Sequence, residues 1–214
     1  MLGKDMDYRM ETSLKETFID PVSLPRRWDE HLAHFVSDIL CPPVTVLIGI
    51  ILIVRSIKDP GAWIWAAIIV LLIIGVPVGY IAWNVRAGAI SDFHIPIRSQ
   101  RFRPMLLTVL CTLAAWAVLQ VGKAPELLRL LVAFGVVQAA GMFIITLRWK
   151  ISGHSAAIAG LAVLLVNLVS PALYPALLLI PLVVWARIRL HRHTLAQTIA
   201  GVLSGIIYIG LVLK

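Results

Sequence analysis

Residues 62–84 read AWIWAAIIVLLIIGVPVGYIAWN, twenty-three positions without one charged side chain. A helix needs about 20 apolar residues to cross a hydrocarbon core of roughly 30 Å, so this stretch is long enough to span a bilayer. Its apolar residues run on without the alternation of a barrel strand, which leaves an α-helix as the form that satisfies its own backbone in lipid. Further apolar runs lie on both sides, over about 42–54, 105–121, 126–147, 155–170, 173–186 and 194–213. The sequence therefore predicts an all-α, polytopic transmembrane bundle of six to seven spans. Composition agrees: 60% of the 214 residues are hydrophobic and 14% charged, with a mean hydropathy of +0.92.

The amino-terminal part differs. Residues 1–25 are polar and of mixed charge, with no early apolar core, so no cleavable signal peptide is expected and the first span serves as its own insertion signal. In the segment that follows, Trp28, Leu32, Phe35, Ile39 and Leu40 recur at helical spacing, while Arg27, Asp29 and Glu30 lie mostly off that stripe. This pattern predicts an amphipathic helix at the membrane interface. Two parts follow: residues 1–41, a polar segment with an interfacial helix, and residues 42–214, the transmembrane domain.

The formal charge is +8, from nineteen Lys and Arg against eleven Asp and Glu. In a membrane protein such an excess reflects positively charged loops and attraction to anionic headgroups. No basic patch with interleaved aromatics lies outside the spans, so a nucleic-acid partner is not expected. Cys41 and Cys111 form no CxxC pair and no metal spacing, and read as small buried residues.

If each apolar segment crosses once, the N-terminus and residues 85–104, 148–154 and 187–193 share one face. The turns near 57, 123 and 171 share the other. The first face then holds His94, His154, His191 and His193 with Arg98, Arg101, Arg103, Arg148, Lys150, Arg187, Arg189 and Arg192. Asp92 is the only acidic residue there outside the N-terminal region. Cations gathered with histidines and few carboxylates suit an anionic ligand, and arginine forks suit phosphate. Ser152 and the Gly153 amide, at the start of a helix, add donors where anions are favoured.

Ser152-Gly153-His154 and the stretch ARIRLHRHTLAQ at 186–197 resemble two of the three motifs of the type 2 phosphatidic acid phosphatase superfamily. These lipid-phosphate phosphatases share a helical fold with the vanadium haloperoxidases. The family patterns are Lys-x6-Arg-Pro, Pro-Ser-Gly-His and Ser-Arg-x5-His-x3-Asp. Here they correspond to Arg103-Pro104, Ile151-Ser152-Gly153-His154 and Ala186-Arg187-x5-His193-x3-Gln197. The likeness implies His193 as a nucleophile forming a phosphohistidine and His154 as the acid for the leaving lipid alcohol. Arg103, Arg187, Ser152 and the Gly153 amide would hold the phosphoryl oxygens. Pro96 stands where the family has lysine, so Arg98 or Arg101 would supply that charge. Gln197 stands where the family has aspartate; it can orient His193, one helical turn away, but brings no charge.

The expected substrate is a lipid phosphate, of phosphatidic acid or polyprenyl phosphate type, with no cofactor or metal. The alternative is a catalytically impaired relative that binds or moves an anionic lipid, favoured by Gln197 and the missing lysine. A prenyltransferase or alcohol phosphatidyltransferase would need aspartate-rich metal motifs, which the site segments lack. The oligomeric state is not legible. The site face carries fourteen Lys and Arg and the other face five, which orients the site to the cytoplasm of a cell-membrane protein. Setting aside five of them as phosphate ligands (Arg98, Arg101, Arg103, Lys150 and Arg187) narrows that bias.

Overall fold

The computed structural model describes residues 27–95 and 97–213; the polar stretch read over residues 1–25 lies outside them. The described residues form eight α-helices and no strand. Helix α1 (Trp28–Ile39) is followed by α2 (Pro42–Ser56), and the two are bent by 53° at their junction. Pro42 and Pro43 open α2, where a missing backbone N–H goes unneeded. Helix α3 (Ala62–Arg86) contains a π-helical stretch, Val70–Gly75. Pro77, two residues past its end, has no N–H to offer the Ile73 carbonyl, so the backbone widens there instead of continuing regularly. A 3₁₀ turn (Arg98–Arg101) leads into α4 (Phe102–Val121), and α5 (Glu126–Arg148) returns. Then come α6 (Gly153–Leu168), a 3₁₀ segment (Pro171–Leu178) running into α7 (Leu179–Arg189), and α8 (Leu195–Val212).

Five of these segments are long and apolar enough to cross a membrane, or six if the bent α1–α2 pair counts as one span. The protein is an integral membrane protein with a polytopic helical bundle. Helix α6 is the exception in length, at sixteen residues, and eleven of them are buried. A helix that is apolar all round belongs in the middle of a bundle, and α6 is wrapped by its neighbours. Its closest partner is α8. A Cβ on Gly201 would lie 2.6 Å from the Ser152 carbonyl oxygen, and one on Gly205 would run into the backbone of Ala156 and Gly160. Gly201 and Gly205 form a GxxxG stripe that lets the two backbones touch. The contact fixes the ends as well, since the Ser152 amide donates to the Gln197 carbonyl at 3.2 Å.

Helix α1 does more than lie at an interface. Ala33 and Val36 bury against Ile158, Val183 and Ala186, while Arg189 bridges Asp29 and Glu30 at 2.9 Å each. The stripe Trp28, Leu32, Phe35 and Ile39 remains exposed on the other side, where it is available to lipid.

Candidate active site

Three connections between helices, together with the end of α1, converge on one end of the bundle. His154 sits in the first turn of α6 and is 8% exposed. Ser152 caps that helix: its hydroxyl oxygen accepts from the Ser155 amide at 3.3 Å and from the Ser155 hydroxyl at 2.9 Å. Arg187, in the last turn of α7, is 3% exposed, and its Nη1 donates to the Ser37 hydroxyl of α1 at 2.6 Å. A tight turn through His191, whose φ is 51°, then brings His193 to the threshold of α8.

Gln197 organises that threshold. Its backbone N–H donates to the Thr194 hydroxyl and its side-chain Oε1 accepts from the Thr194 amide, a reciprocal capping box. The same Oε1 lies 3.0 Å from Nδ1 of His193. A carbonyl oxygen only accepts, so Nδ1 carries the proton and Nε2 keeps its lone pair. Burial, then the Arg187 charge, pushes the His193 pKa down to about 3, with the Gln197 contact opposing. The imidazole is therefore neutral over the physiological range.

The loop before α4 completes the ring. His94 bridges two carboxylates, its Nε2 3.3 Å from Asp38 of α1 and its Nδ1 3.3 Å from Asp92. Its ring stacks on that of His154, with centroids 6.2 Å apart and planes 23° apart. Arg101 donates from Nε to the carbonyl of Ile95, a branched residue held at a φ of 45°.

These groups surround the mouth of a cavity of about 560 Å³ lined by Asp38, His94, Arg101, Gly153, His154, Arg187 and His193. Inward it continues as an apolar chamber among Ile50, Ile73, Val78, Leu131 and Leu161. Two buried atoms of mouth residues, His154 Nε2 and Arg187 Nε, have no hydrogen-bond partner. Such groups are disfavoured unless a ligand completes them. Burial, and the charges of Arg101, Arg187 and Arg192, also pull Lys150 below the ordinary lysine value. A mouth so crowded with cations favours an anion. Among the described residues no group of three His, Cys, Asp or Glu side chains stands ready to hold a metal ion.

Of the residues singled out in the sequence, His154, His193, Arg187, Arg101 and Gly153 line this cavity. Ser152 is fully buried as a helix cap, and Gln197 contacts His193. Arg98 is exposed and donates to the Leu147 carbonyl at 2.9 Å, and Arg103 is exposed; neither lines the cavity. Sequence reasoning missed Ser37 and Asp38, which come from α1 and carry no motif. His94 had only its place on the shared face as a signal.

A cation-lined pocket with three histidines thus opens from one end of a helical membrane bundle into an apolar chamber. Residues 77–214 match the family model described as the PAP2 superfamily, and the chain belongs to that family. No curated protein and no solved structure matches it.

Proposed function

We propose that the protein is a lipid-phosphate phosphatase of the cell membrane that works through a phosphohistidine. The observation that carries this reading is the shared cavity: His154, His193, Arg101 and Arg187 line a mouth continuous with a chamber fit for a lipid tail. The phosphate would sit at the mouth, with Arg187 Nε and the Arg101 guanidinium on its non-bridging oxygens. His193 Nε2 attacks phosphorus while the bond from phosphorus to the lipid oxygen breaks, and His154 hands its proton to the departing alkoxide. Water then attacks the phosphohistidine, His154 takes up the water proton, and inorganic phosphate leaves with His193 restored. Gln197 holds the His193 tautomer throughout. Every step uses these side chains and one water.

The second reading is a lipid-binding relative without turnover. The observation that favours it is Gln197, because among the described residues no carboxylate pairs with His193, and Asp38 and Asp92 are engaged with His94.

The test is phosphate release from a panel of lipid phosphates by the purified protein in detergent with a chelator present. Turnover is expected, with loss of at least about 10³-fold in His193→Ala. Arg101→Ala should lower kcat/KM by about 10²-fold, and Arg103→Ala by less than about threefold. Equal rates for wild type and His193→Ala would remove the nucleophile. Silence on every lipid phosphate would leave the binding role.

A further inference from the structure

Helix α1 lies outside residues 77–214, the stretch that matches the family, yet its last turn enters the site. Ser37, which is buried, touches two of the residues that line the cavity mouth. Its hydroxyl accepts from Arg187 Nη1 at 2.6 Å. Its backbone hydrogen-bonds the His154 ring. His154 Nε2 has no partner, so Nδ1 makes that bond, donating to the Ser37 carbonyl.

The local sequence explains why that carbonyl can accept from outside its own helix. The last carbonyls of a helix have no intrahelical donor. Here the Leu40 amide donates to the Val36 carbonyl and the Cys41 amide to that of Asp38, while Pro42 and Pro43 have no N–H. The Ser37 carbonyl is passed over. It lies at the negative end of the α1 dipole, where cationic partners are favoured. Its two contacts fix two orientations. A guanidinium is a rigid planar fork, so a bond at Nη1 leaves the Nε edge of Arg187 for a ligand, and Nε is buried without a protein partner. An imidazole held at Nδ1 presents Nε2 in the same way. The two unpartnered nitrogens at the mouth therefore belong to residues held from behind by one serine. That serine is itself held in place. Ala33 and Val36 pack on α7, and Arg189 bridges Asp29 and Glu30 at 2.9 Å each.

Resting on the lipid-phosphate reading above, we infer that Ser37 is a positioning residue for the reaction. Its hydroxyl aims Arg187 Nε at the phosphoryl oxygens, and its carbonyl aims His154 Nε2 at the leaving oxygen. The carbonyl accepts from Nδ1 whether the ring is neutral or charged, so His154 keeps its orientation while a proton comes and goes at Nε2. A helix outside the family stretch thus completes the site, tied there by Arg189.

The test compares variants of the full chain in detergent, with phosphatidic acid as substrate and inorganic phosphate as a second probe that needs no turnover. Ser37→Ala should lower kcat/KM and phosphate affinity about tenfold each, the scale of one hydrogen bond to a charged group. In an Arg187→Ala background the same substitution should change either quantity by less than about threefold, because the hydroxyl acts through the guanidinium. A merely structural serine would cost the same in both backgrounds. Arg189→Met changes no residue that lines the cavity, but it loosens α1 and with it both Ser37 contacts. It should lower kcat/KM at least as far as Ser37→Ala, and it carries the test if Ser37→Ala does not fold. Wild-type values in Ser37→Ala, or a full tenfold loss that persists without Arg187, overturns the inference, as does an unchanged kcat/KM in Arg189→Met. Phosphate affinity that follows this pattern in a chain silent on phosphatidic acid counts against the hydrolase reading and leaves the positioning role standing. Absence of phosphate binding to the wild type sinks both.

Discussion

At the scale of single residues, the position where this chain leaves its family is the most informative. Gln197 Oε1 is shared between His193 Nδ1 at 3.0 Å and the Thr194 amide at 3.3 Å, so the amide fixes the tautomer and caps α8 at once. It supplies no charge to the imidazolium, and the His193 pKa stays near 3 under burial and the Arg187 field. Gln197→Asp would keep an acceptor one turn from His193 and put a carboxylate in the first turn of α8, where the helix dipole favours it. The carboxylate stabilises the protonated ring, so the His193 pKa rises. Attack requires the neutral ring, so the acid limb of the rate profile should move to higher pH in the variant. Turnover at pH 7.5 should rise roughly tenfold, short of the 10⁴ that the reverse exchange costs in an intact triad, because the cap geometry is built for the longer side chain. An unchanged acid limb, read from kcat/KM against pH, would mean that position 197 does not reach the ring electrostatically.

At the scale of elements, the seven apolar runs were legible from hydropathy, and the positions of His154, Arg187 and His193 at helix ends followed from them. Two features were not. One is the docking of α1 onto α7, which depends on Arg189 pairing with Asp29 and Glu30 across about 160 residues of sequence; an amphipathic stripe reports a lipid-facing side but not what lies behind it. The other is the α6–α8 contact. Its signal, GVLSG at 201–205, is present in the sequence, yet composition alone reads such glycines as small residues in a span. The structure gives them a task, since they let α8 approach until the Ser152 amide meets the Gln197 carbonyl. Gly205→Val should therefore be severe. Its Cβ would meet the Ala156 carbonyl and the Gly160 amide, which are backbone atoms that cannot swing aside. A loss of about 3 kcal/mol or more is expected, with activity lost alongside because His154 and His193 ride on the two helices. Gly210→Ala, with nothing within 4 Å of the new carbon, should stay within about 0.5 kcal/mol. Thermal unfolding in detergent compares the two, and equal stability would remove the contact as the element that sets the site.

At the scale of the whole molecule, alternation of crossings already brought three distant polar segments to one face, and that argument needs no side-chain geometry. What it could not give is which cations serve a ligand and which serve topology, because charge at a membrane surface has both uses. The cavity separates them. Of the five cations that sequence reasoning set aside for phosphate, only Arg101 and Arg187 line it. Arg98 and Arg103 lie off it and count with the loop cations, whereas Lys150 stands in the field of the mouth arginines, leaving eleven Lys and Arg on the site face against five on the other. We propose on that bias that the mouth of the cavity faces the cytoplasm. The expectation can be measured with single cysteines in a chain whose Cys41 and Cys111 are replaced by serine. Lys58, in the turn between α2 and α3, and Ser91, in the loop between α3 and α4, are both exposed. They lie on opposite faces of the membrane by the same alternation. A membrane-impermeant maleimide added to intact cells should label Lys58→Cys and spare Ser91→Cys until the membrane is permeabilised. The reverse pattern would place the site on the outer surface, with the excess of cations held there by the anionic ligand and not by the insertion bias.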